Sequence, residues 1–192
     1  MIWKNSPDRY GSLMIGLHWM MAILLIAVYA CIELKGLFPK GSDPREALKA
    51  WHFMLGLSVF LLVLPRLLLR LYGTIPMIAP EPPAWQQLSA RLLHLALYLL
   101  MVAMPLMGWL LLSAAGKPIP FFGLQLPALI GENQELAKLL KEIHETAGEV
   151  GYYLIGLHIA AALYHHHIQH DNTLTRMLPV QSRIRATAEN TR

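Results

Sequence analysis

The stretch HETAGEVGYYLIGLH, residues 144–158, decides the fold: it is rich in apolar and small residues and both opens and closes on histidine. Ionisable rings inside hydrocarbon are costly and usually functional, and two on one segment ask for a common cause. Fourteen steps along the chain separate His144 from His158, roughly 21 Å at a rise of 1.5 Å per residue. The interval is also close to four turns, so both rings project from nearly one face. The stripe through them runs His144, Gly148, Gly151, Ile155, His158, Ala162, His165. Glycine and alanine at the intervening places leave room beside the backbone for something broad and flat, or for another helix.

Composition says where such a helix would sit. Of the 192 residues, 55% are hydrophobic and only 15% charged, against about 25% charged in a soluble domain. A membrane protein follows. The net charge of +4 is spread out, and no basic run suggests nucleic acid. The single cysteine, Cys31, excludes an intrachain disulfide framework and a CxxC zinc site and reads as a buried, inert thiol. Four stretches are long enough to cross a bilayer, which takes roughly 20 apolar residues: Leu13–Leu34, Trp51–Tyr72, Leu88–Ser113 and Ile143–Ile168. The first is too long for a cleavable signal and lacks a small-residue cleavage site after it. Pro65 and Pro105 fall inside the second and third spans, where neighbouring groups can satisfy the freed carbonyls. The expected fold is all-α, a transmembrane four-helix bundle over residues 1–179, followed by a basic, disordered tail over 180–192.

Lysine and arginine in the short connectors set the orientation. With the N-terminus inside, the inner side holds nine of these cations, including Arg9, Arg66, Arg70, Arg91 and Arg176. The outer side holds seven, Lys35, Lys40, Arg45, Lys49, Lys117, Lys138 and Lys141. Nearly every arginine is on the inner side, which places both termini in the cytoplasm.

Depth then pairs the histidines. His144 at the outer level can face His52 at the start of the second span, and His158 at the inner level can face His18 on the first. Two opposed neutral imidazoles are a ligand set for six-coordinate haem iron, and two such pairs would stack two b-type haems across the membrane. Gly56, one turn from His52, and Gly148 and Gly151 would give clearance to the macrocycles, although close helix packing explains glycines equally well. Zinc is disfavoured because no carboxylate or thiol joins either pair. A proton relay would need mid-membrane acids, and there are none. His94 lies at about the level of His18 and could replace it as the inner ligand. Alternatively, it could contact a quinone or a haem propionate. The HHH at residues 165–167 reads as an interfacial polar cluster, with His165 continuing the helix stripe.

With GLHWMMAILLIAVYACIELKGLFPK, HETAGEVGYYLIGLH and HHHIQHDNTLTRMLP in view, the chain resembles the bacterial cytochrome b561 family along essentially its whole length. The tail DNTLTRMLP is fairly specific, although the third histidine of HHH and His170 depart from its commoner form. The resemblance implies an inner bacterial membrane location and two haem b groups, one held by His18 and His158 and the other by His52 and His144. It also implies electron exchange between small redox partners and ubiquinone, with superoxide the donor in at least one line.

A cationic outer connector, Lys35, Lys40, Arg45 and Lys49, would steer such an anion towards the outer haem edge. Ordinary solvation is the alternative, since Glu33, Asp43 and Glu46 are interspersed. Candidates for quinone or propionate contacts are His94, His165, Arg66, Arg70 and Arg91, and an outer quinone site beneath GKPIPFFGLQLP is a further option. Two rival functions remain at this point: a membrane anchor and electron conduit for a peripheral dehydrogenase or hydrogenase, and a haem-free protein whose histidines only pack.

Overall fold

The computed structural model of the chain describes residues 3–179; the tail expected over 180–192 lies outside them. Four long helices account for most of the described chain: α1 (Ser12–Leu34), α2 (Asp43–Tyr72), α3 (Ala84–Ala114) and α4 (Gln134–His167). Pro65 and Pro105 lie inside α2 and α3, as expected. Three helices begin earlier than the apolar runs, because capping chemistry extends them beyond the hydrocarbon. Pro44 sits in the first turn of α2 with Asp43 and Glu46, where a missing N–H costs nothing and negative charge suits the helix dipole. Pro83 precedes α3 as its N-cap residue. The Asn133 side chain accepts the Leu136 N–H at 3.0 Å, so α4 begins at Gln134 rather than Ile143.

Among the described residues, α1 with its short extension to Leu37, α2 and α3 are long and apolar enough to cross a membrane. The 34-residue α4 has the length, but its histidines, glutamates and tyrosines take it below that apolar standard. Large apolar side chains face outward along the bundle: Ile26 is 70% exposed and Leu99 59%. Outward apolar surface of this extent suits lipid rather than water. Inside, Met21, Val59 and Val63 form a buried cluster with Val28, Tyr98, Met101 and Val102 that ties α1, α2 and α3 together. Cys31, expected to be buried, is only half-buried.

Helices α1 and α2 pack backbone to backbone, as do α3 and α4, with α2 on α3. Helix α4 has few close backbone approaches to α1 or α2. Side chains bridge this seam, and it is the seam that the functional site occupies.

The proline-containing connector after α3 folds into a hairpin, β1 (Ile119–Phe121) paired antiparallel with β2 (Leu124–Leu126). Its two-residue tip places Phe122 at φ 44° and Gly123 at φ 86°, the doubly positive backbone that closes a tight hairpin. Ile119 packs beneath it on Leu57 and Leu112. The Trp109 indole donates to the Pro127 carbonyl at 3.0 Å, and the Leu129 N–H donates to Ser113 Oγ at 3.0 Å. These bonds lay the connector over one end of the bundle, the hairpin end.

The opposite, terminal end is closed by three segments: the chain's start, the α2–α3 connector and the residues after α4. Asn172 pairs with Ala79 through backbone and side chain, the Arg176 guanidinium donates to the Pro76 carbonyl, and the Trp19 indole donates to the Met177 carbonyl at 2.8 Å. Arg9 reaches the Leu178 carbonyl at 3.0 Å. His165 and the buried Asp171 form a close pair at 2.5 Å. Burial alone would raise the Asp171 carboxyl, but hydrogen bonds from His165 and Thr173 outweigh it and hold the group below its ordinary value of 3.8. The tail motif is therefore a structural clasp.

A carboxyl that titrates lower in the folded state than in the unfolded one stabilises above its unfolded value, and that contribution is lost as pH falls through the folded value. Asp171→Ala should therefore lower the apparent Tm in detergent at neutral pH, by the equivalent of about 1–3 kcal/mol for a buried charged partner. It should also flatten the acid limb of Tm against pH below about 4, which a thermal melt series on both proteins would read.

Candidate functional site

The seam along α4 brings together the histidines that depth matching pairs. His18 of α1 faces His158 of α4 with ring centroids 6.2 Å apart and planes at 76°. His52 of α2 faces His144 of α4 at 6.3 Å and 75°. The two pairs, on different helix partners and at opposite ends of α4, share one geometry. His94 of α3 also reaches His158, closer, at 5.4 Å and 68°.

One proton position follows from the contacts. His52 Nδ1 lies 3.0 Å from the Val28 carbonyl. A carbonyl only accepts, so the ring nitrogen is the donor, and the lone pair is left on Nε2, turned away from α1. Such a bond is the usual means of orienting a metal-ligating imidazole. His144 Nδ1 is buried with no hydrogen-bond partner. An imidazole atom orphaned in this way calls for a ligand or a proton acceptor. Gly108 of α3 lies against this ring, where a Cβ would stand 3.5 Å from Cε1.

The spacing tests the donor set. An ion bound from opposite sides by two imidazoles holds the ring centres about 6 Å apart, given a metal–nitrogen bond of about 2 Å. The His18–His158 and His52–His144 pairs fit, and His94–His158 is tight. Among the described residues no three histidine, cysteine or carboxylate side chains gather into a metal cluster. A metal at either pair would therefore take its remaining ligands from a non-protein group. A planar macrocycle with four equatorial donors is the group that leaves two axial places for imidazole.

The surrounding charges differ between the ends. At the terminal end Arg66 is buried and donates to the Met14 carbonyl at 3.2 Å, one turn before His18. Its charge acts on His18, His94 and His158. Arg70 lies with its guanidinium carbon 6.0 Å from the centre of the Tyr98 ring, and its charge acts on His94. Arg91 is exposed, and His165 is engaged with Asp171.

At the hairpin end Lys35 lies within electrostatic reach of Arg45, Lys49, Lys141 and Glu145. Arg45 donates to the carbonyls of Lys35 and Phe38, both at 2.9 Å, so it also caps the end of α1. Lys49 is paired with Glu46 at 2.7 Å, and Lys40 is exposed. Lys141 and Lys117 join this rim without having been singled out as site residues. Their place among the outer cations was the available signal.

The glycines separate. Nothing lies within 4 Å of a Cβ placed on Gly56, and one on Gly148 would meet only the Met104 methyl, at 3.7 Å. The space beside Gly151 is taken by the Tyr29 hydroxyl and by Leu100. Tyr29 donates to the Gly148 carbonyl at 2.9 Å, and Tyr152 donates to Glu33 at 2.6 Å. These two tyrosines, in tilted contact with centroids 4.3 Å apart and planes at 47°, stitch α1 to α4, and no periodicity or motif marks them in the sequence.

Comparison with known proteins places these features in a family. The model for prokaryotic cytochrome b561 matches residues 9–180. Cytochrome b561 homolog 1 of Escherichia coli (strain K12) is 41% identical over 172 residues, covering 90% of this chain and 98% of the relative. The probable superoxide oxidase CybB of Yersinia pestis is 37% identical over 171 residues, covering 89% and 96% respectively. Cytochrome b561 homolog 2 of Escherichia coli (strain K12) is 31% identical over 186 residues, covering 93% and 95%. With its membrane-type helices and a family match over most of its length, the chain belongs to the prokaryotic cytochrome b561 family of membrane electron-transfer proteins, which implies b-type haem.

Proposed function

We propose that this chain is a transmembrane di-haem electron-transfer protein that oxidises superoxide at the periplasmic face of the inner membrane and reduces ubiquinone. The observation that carries the reading is the shared geometry of the His18–His158 and His52–His144 pairs, 6.2 and 6.3 Å between centroids. On this reading all four histidines would hold the haem irons, the arginine-rich terminal end is cytoplasmic, and α4 is the fourth span. Two superoxide anions, one quinone and two protons give two dioxygen molecules and one quinol, so electrons and charge balance. When bound, b-type haem supplies one-electron chemistry, with its potential set by axial ligands, hydrogen bonds and burial.

The chain's own residues do the rest. Val28 fixes the His52 ring through its carbonyl. The outward apolar surface keeps the site within lipid. Lys35, Arg45 and Lys49, with Lys40, Lys117 and Lys141 nearby, give the periplasmic rim a positive field that draws a small anion in. Arg66, whose charge acts on the inner histidines, and Arg70, whose charge acts on His94, suit the carboxylate side chains of a macrocycle. Gly56 and Gly148 give it clearance. His94 lies beside the inner pair, its ring centroid 5.4 Å from that of His158, and would contact a quinone or a haem propionate. The alternative of an anchor for a peripheral dehydrogenase has less support, because the connectors at both ends fold back onto the bundle.

Purified protein should carry two haems per chain by pyridine haemochromogen assay, with a sharp α band on dithionite reduction. His52→Ala and His18→Ala should each retain about one, whereas His94→Ala should retain both. Full occupancy in His18→Ala would move the inner ligand role to His94, and a native protein without an α band would end the haem reading.

The rim makes a separate prediction. Lys35→Gln with Lys49→Gln should lower the second-order rate of superoxide consumption several-fold at low ionic strength, with the gap closing as salt screens the field. A rate indifferent to charge and salt would remove the steering role.

A further inference from the structure

Helix α4 carries both α4-borne histidines, yet it has few close backbone approaches to the two helices that carry their partners. Something must fix its height against them, and the contacts between the pairs identify what does. Gly151 lies seven residues from His144 and seven from His158, two turns from each and therefore on the face that presents both rings. It is buried, and a Cβ at this position would collide with the Tyr29 hydroxyl and stand 3.1 Å from Leu100 Cδ2. That hydroxyl donates to the Gly148 carbonyl at 2.9 Å. Gly148 is one turn from His144. The phenol is thus inserted into a notch in α4 made by an absent side chain, and it bonds to the backbone inside that notch. The adjoining tilted Tyr29–Tyr152 ring contact and the Tyr152–Glu33 bond hold the same two helices together one layer outward.

We infer that Tyr29 is a positioning residue whose seat in the Gly148–Gly151 notch sets the register of α4, and through it the ring geometry of both histidine pairs at once. This rests on the di-haem reading above. It gives Gly151 a role distinct from macrocycle clearance. A carbonyl acceptor and a steric stop act together: the hydrogen bond opposes withdrawal of the phenol, and the backbone of α4 opposes further approach. Because α4 is one rigid rod between the pairs, a shift at its midpoint is passed to both ends. A defect at His52 or His18, by contrast, stays in its own layer.

The test uses the full-length, haem-loaded protein in detergent, with haem per chain and the low-temperature EPR signals of the ferric low-spin centres as readouts. Those signals respond to the angle and bond direction of the axial imidazoles. Gly151→Ala should shift both signals and lower haem retention in both layers. Adding Tyr29→Phe removes the oxygen that the new methyl group meets, while the flexible end of Leu100 can move. The double variant should therefore return to the behaviour of Tyr29→Phe alone. Tyr29→Phe, which keeps the ring, should hold two haems with a smaller displacement of both signals.

Should Gly151→Ala fail to accumulate, recovery of folded protein in the double variant supports the inference, and unchanged EPR signals in Tyr29→Phe overturn it. Loss that persists unchanged in the double variant assigns Gly151 to the cofactor itself and overturns it. So does a change confined to one layer. A native protein with fewer than two haems defeats the di-haem reading together with this inference. Two haems with a silent Gly151→Ala defeat the inference alone.

Discussion

One helix has to satisfy two partners. His144 and His158 stand fourteen residues apart on α4, and an α-helix repeats its face almost perfectly over that interval, since four turns take about 14.4 residues. Rotating α4 about its axis would turn both rings from their partners together, and sliding it would misplace both by the same distance. The equal spacings of 6.2 and 6.3 Å are what a rigid rod in the correct register produces. Helices α1 and α2 are locked to each other by close packing around Met21, Val59 and Val63, so they act as a single wall on which α4 is set.

The apolar solvent explains why α4 differs in composition from its neighbours. In lipid, helix association gains little from burying apolar surface and depends on close packing and on interhelical polar contacts. Helices α1, α2 and α3 turn large apolar side chains outward and meet a simple hydropathy standard for crossing a membrane. The shortfall of α4 comes from polar and ionisable residues such as His144, His158 and Tyr152, whose partners lie across the seam on α1 and α2. An ionisable residue turned into the bundle escapes much of the cost that it would bear facing lipid. Reduced hydropathy in α4 is therefore in part a consequence of its working face, the exposed Glu145 and Glu149 supplying the rest. It does not argue against a place in the membrane.

This also explains what the sequence made legible. The helices and the histidine pairing could be read because both depend on periodicity and depth, which survive in a one-dimensional string. The helix starts were missed because Asn133, Pro44 and Pro83 extend helices past the apolar runs. The hairpin was missed because each strand has three residues and its tip is Phe122–Gly123, not an asparagine–glycine turn that would announce itself. Arg45 looked like a free surface cation, although its guanidinium serves the carbonyls that end α1. The notch at Gly151 read equally as room for a macrocycle or for another helix. Only the position of the Tyr29 hydroxyl distinguishes them, and it depends on a residue 122 positions away in the chain.

The two ends of the bundle are closed by different means, and the difference bears on access. At the terminal end three separate segments are knitted by backbone and side-chain bonds around Asn172 and Arg176, and Arg66 is held in place by the Met14 carbonyl. Arg66 and Arg176 there are buried and committed to fixed acceptors, and the charge of Arg66 forms part of the internal field felt by His18 and His158. At the hairpin end the cations lie on an exposed or half-exposed rim, interleaved with Glu46 and Glu145. A rim of this kind is screened by salt and acts on molecules still in solution, whereas a buried arginine acts on whatever is bound beside it. Under the proposed reading, a small anion collected from water belongs at the hairpin end. A group retained in the protein belongs against Arg66.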